Sequence, residues 1–197
     1  MEKRERLSEN QHIIPNGLVG IIFLISTEVM FFSGLISGFV VNHSEKPGAW
    51  DAPWQNVLPV DQTLFNTVLL LASAVTMTLS TYFSYKTAVL KKTKISLWIT
   101  ILLGAAFVAL QGREWISLIA YGLTTSSSIY GAFFYIIIGA HGLHVIAGLL
   151  ILLYIQIKIS RDTVAQKDKS FSILVGSVYW YFVVFLWPVL YYLIYQY

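Results

Sequence analysis

The stretch "GAFFYIIIGAHGLHVIAGLLILLYIQIKIS", Gly131–Ser160, decides the fold, because it carries no charged side chain before Lys158. A bilayer core about 30 Å thick needs roughly 20 helical residues, so the run can span with length to spare. It shows no strict alternation of polar and apolar residues and is far longer than a barrel strand of about ten. The reading is a transmembrane helix over about 129–157, with His141 and His144 inside it.

Four further runs qualify, at about 17–41, 64–90, 95–119 and 172–196. The expected fold is therefore all-α: a polytopic bundle of five transmembrane helices forming one membrane domain over 1–197. Composition agrees, with 56% hydrophobic and 12% charged residues, where a soluble domain carries about 25% charged. The net charge of +3 lies in short segments between apolar runs, a topology signal rather than a nucleic-acid-binding surface. With no Cys, disulfides, thiolate metal sites, iron–sulfur clusters and covalent haem attachment are excluded.

Basic residues set direction. Lys3, Arg4 and Arg6 precede the first span; Lys86, Lys91, Lys92 and Lys94 follow the second; Lys158, Arg161, Lys167 and Lys169 follow the fourth. The alternate connections hold only Lys46 and Arg113. This places the N-terminus inside, on the cytoplasmic side, and the C-terminus outside. "MEKRERLSENQHIIPNG" lacks an apolar core with a small-residue cleavage site, so the first span is expected to act as the insertion signal. The long outer loop carries Trp50 and Trp54, read as interface anchors.

Polar groups within the spans are the functional candidates. Glu28 lies mid-membrane in "LISTEVMFFSGLISGFVV", where removal from water opposes the charged form. The same span has Gly34 and Gly38 at GxxxG spacing, which permits close helix approach. Asn66, Ser73 and Ser80 recur every seven residues and share a face suited to a buried helix contact; a polar pore lining is the competing reading. His141 and His144 are three apart and so point within about 60° of each other.

That pair cannot supply both axial ligands of one haem, and nothing nearby completes the three or four protein ligands usual for zinc. Glu28 lies about 17 Å into its helix and His141 about 18 Å from the opposite end of an antiparallel one. A hydrogen bond between Glu28 and one of the histidines, direct or bridged, is expected. "LGAAFVALQGREWISL" places Gln111, Arg113, Glu114 and Trp115 at the end of the third span, where a helix-end ion pair and contact with a partner or lipid headgroup are both open.

Five blocks, in order and over nearly the whole chain, resemble subunit III of the haem–copper terminal oxidases. They are "ISTEVMFFSG" with Glu28; "LFNTVLLLASAVTMT" with Asn66 and Ser73; and "LGAAFVALQGREW" with Gly104, Gln111 and Glu114. "YGAFFYIIIGAHGLHVIAG" follows with His141, Gly142, His144 and Gly148, and "YWYFVVFLWPVLYYLIY" with Trp180 and Trp187. The chain looks like the family's short five-helix form. Tyr181 stands where the family usually has His, Val184 where it has Asp, and Pro188 interrupts the last helix.

The resemblance implies a non-catalytic subunit of a proton-pumping cytochrome c oxidase that binds no haem or copper itself. Those centres would lie in partner subunits I and II. The chain would pack on subunit I, hold phospholipids, protect the enzyme during turnover and support proton uptake, within a larger respiratory assembly or alone. Glu28 would match a carboxyl known in the family for reactivity towards carbodiimides, and the histidines would be structural or lipid-associated. Two alternatives stay open: an independent transporter or proton channel using Glu28, His141 and His144, and a quinol-oxidising relative.

Overall fold

A computed structural model describes residues 16–45, 60–87, 90–161 and 165–196. Trp50, Trp54, His12, Lys46 and the first basic cluster lie outside the described residues. Within them the chain is helical, without strands: α1 Asn16–Glu45, α2 Val60–Tyr82, α3 Leu90–Ala120, α4 Ile129–Ser160 and α5 Gln166–Tyr191. Wider π turns, Phe83–Thr87 and Tyr192–Gln196, extend α2 and α5. All five helices are long and apolar enough to cross a membrane.

Helix ends differ from the hydropathy reading. α2, α3 and α5 begin four to six residues earlier than their apolar runs, because backbone pairing persists into the headgroup zone where side chains turn polar. α2 leaves α-geometry at Tyr82, eight residues before the expected end. Pro188 does not interrupt α5, which runs on to Tyr191.

Local chemistry fixes the α3–α4 connection. Gly122 ends α3 at φ 91°, a left-handed position that favours glycine. Around it Leu123 N–H donates to the Leu118 carbonyl and Gly122 N–H to that of Ile119, which closes the helix end. Ser128 then caps α4, its Oγ accepting from Gly131 N–H at 3.0 Å.

α2, α3, α4 and α5 form a closed square in which each helix packs on its neighbours, and α5 returns to α2. α1 lies outside it, against α4 and α5, with only 11% of its apolar window buried in the chain. Trp180 of α5 fills the middle. Its indole donates to Ser73 of α2 at 3.1 Å, while its ring lies over Gly104 of α3 and Gly148 of α4. A Cβ at Gly104 would come within 2.6 Å of that ring, and one at Gly148 within 3.0 Å.

The α1 glycines behave differently. Gly34 has nothing within 4 Å of a built Cβ, and Gly38 meets only the Phe133 ring, at 3.4 Å. The GxxxG spacing therefore forms no backbone-to-backbone seam among the described residues. Since Trp180 is fully buried, Gly104→Val should destabilise the bundle by about 1–3 kcal/mol. Gly34→Ala should change stability by about 1 kcal/mol or less. Unfolding of the purified chain in mixed detergent micelles, followed by Trp fluorescence, measures both.

Candidate functional site

α1 and α4 meet at the carboxyl–imidazole pair. Glu28 Oε2 and His144 Nε2 are 2.8 Å apart, each side chain about one-fifth exposed (21% and 20%). Phe31 and Phe32, on the same helix as Glu28, flank the imidazole at ring separations of 6.3 and 5.2 Å. The other ring nitrogen, His144 Nδ1, lies 2.7 Å from the Ala140 carbonyl one turn back.

That second contact limits the pair's protonation. A carbonyl oxygen only accepts, so Nδ1 carries a hydrogen. Between Nε2 and Oε2 there is then one proton: either a neutral carboxyl donates to a neutral imidazole, or an imidazolium donates to a carboxylate. In both forms the pair has no net charge, which is what a low-dielectric surrounding favours.

His141 does something else. It is buried, stacked on Trp187 at 5.0 Å and met edge-on by Phe107 at 6.4 Å. Neither ring nitrogen has a hydrogen-bond partner among the described residues. A 60° turn between the two histidines suffices at a helix junction to send one towards α1 and the other towards α3 and α5. The His141 ring floors a cavity of about 140 Å³ beside Phe107, Gln111, Gly112, Trp115 and Gly142. Among the described residues no group of three or more His, Cys, Asp or Glu gathers as metal ligands would.

The α2 face of Asn66, Ser73 and Ser80 is buried. Ser73 receives Trp180, Thr67 receives the Trp187 indole at 2.9 Å, and Ser80 donates to the Thr93 carbonyl at 3.3 Å. Asn66 lines a cavity at the end where α2 begins and α3 ends. Of the family departures, Tyr181 hydrogen-bonds Thr78 of α2 at 2.8 Å, and Val184 is fully buried apolar core.

Of the two readings left open at the end of α3, a helix-end ion pair is not formed between Arg113 and Glu114. Adjacent helical residues point about 100° apart, so Arg113 is exposed while Glu114 turns inward. Glu114 Oε1 accepts from Thr63 at 2.8 Å and from the Tyr195 hydroxyl at 2.9 Å, and Gln111 donates to that hydroxyl at 3.2 Å. Sequence reading missed Thr63 and Tyr195. Thr63 directly precedes one quoted block and Tyr195 ends another, but only the closed square of helices brings them to Glu114.

Glu28→Gln should preserve the α1–α4 contact, because its amide can donate to Nε2 of a neutral His144. Glu28→Leu leaves that nitrogen unpaired and should cost about 1–3 kcal/mol. The double change Glu28→Leu with His144→Phe should recover part of the loss. The same micelle unfolding assay on all three variants checks this order.

Residues 5–197 match the family model described as Cytochrome c oxidase subunit III. A probable cytochrome c oxidase subunit 3 of Nocardia farcinica is 39% identical over 173 residues, covering 86% of this chain and 82% of the relative. The Corynebacterium diphtheriae cytochrome c oxidase subunit 3 is 32% identical, covering 90% of this chain and 86% of its own. The zebrafish (Danio rerio) protein of that name is 35% identical, over 98% of this chain and 75% of its own. A family match that takes in every described residue, with relatives 32–39% identical over most of their own length, means that the chain belongs to the cytochrome c oxidase subunit III family.

Proposed function

We infer that this chain is a scaffold subunit of a proton-pumping cytochrome c oxidase, without a redox centre of its own, in a bacterial cytoplasmic membrane. It packs on subunit I, in a complex whose subunits I and II hold the haem and copper. It retains phospholipid, prolongs the working life of the active site and supports proton uptake. Its N-terminus faces the cytoplasm, and cytochrome c is the donor to the complex.

The observation that carries this reading is how the intramembrane polar groups are used. Glu28 is spent on His144, and the hydroxyls of α2 on α3 and α5. Groups engaged in joining helices hold position; a conducting path needs them strung along a wet channel. Apolar burial drives little association inside a bilayer, so such contacts and close packing are what hold subunits together there.

Deleting the chain should leave part of the initial oxygen-reduction rate and shorten the time for which the enzyme stays active, measured by oxygen uptake through repeated turnovers. The isolated chain should show no haem absorbance. A Glu28-dependent proton flux through proteoliposomes containing this chain alone would overturn the reading in favour of a channel.

A further inference from the structure

No further inference is drawn: the strongest candidate, the cavity of about 140 Å³ between α3 and α4 beside Phe107, His141 and Trp187, has apolar walls behind which the unpartnered Gln111, Trp115 and His141 atoms are shut off from any outside partner, and nothing in the structure shows what covers it.

Discussion

Two indole N–H groups with no water to turn to set the terms for the rest of the molecule. Trp180 and Trp187 are seven residues apart on one face of α5, and both are fully buried. A donor buried in a membrane protein must pair within the protein, and the partners are Ser73 and Thr67 of α2. Each hydroxyl sends its own hydrogen back along α2, Ser73 to the Leu70 carbonyl and Thr67 to that of Thr63. Its oxygen is thereby left as an acceptor for the indole. The register of α5 against α2 follows from these two bonds, and the glycines at 104 and 148 follow from the volume of the Trp180 ring between α3 and α4. Such bonds contribute roughly 0.6–2 kcal/mol each in a bilayer, so their weight lies in specifying one arrangement as much as in stabilising it.

The attachment of α1 is built differently. Hydroxyl pairs such as Thr76–Thr100 at 2.7 Å and the Ser96 bond to the Thr76 carbonyl at 2.6 Å join α2 to α3 along their length. α1 has Glu28 on His144 and aromatic packing such as Phe39 against Phe133. An element with few buried contacts opens at lower free energy than the core. The carboxyl–imidazole pair thus does for α1 alone what a row of hydroxyls does for the bundle, while adding no net charge to the bilayer.

The sequence made legible what depends on composition along one helix. Five spans follow from hydropathy, and the buried α2 face of Asn66, Ser73 and Ser80 follows from a repeat of seven. That Glu28 would meet a histidine follows from comparable depth in antiparallel helices. What it hid depends on lateral placement. Depth cannot choose between His141 and His144, because the choice turns on which neighbour each face meets. Gly34 and Gly104 are alike as letters, yet one faces open space and the other an indole ring. Glu114 beside Arg113 looks like an ion pair until the helix turn sends them apart, and the Tyr195 that answers Glu114 lies 81 positions away.

The polar groups left over are not scattered. Gln111 Oε1, Glu114 Oε2, Trp115 Nε1 and both nitrogens of His141 are buried and unpartnered, with Gln156 Oε1 the remaining case among the described residues. All but the last lie at the end of α3 or on the α4 turn beside it, around the two cavities that flank that helix. Among the described residues the seam between α2 and α5 has none. A chain that meets its own hydrogen-bonding demand on one side and leaves it open on the other is asymmetric in what it asks of its surroundings. The satisfied side can meet hydrocarbon at no further cost. Among the described residues, the end of α3 is where the bundle's unmet hydrogen-bonding demand is concentrated.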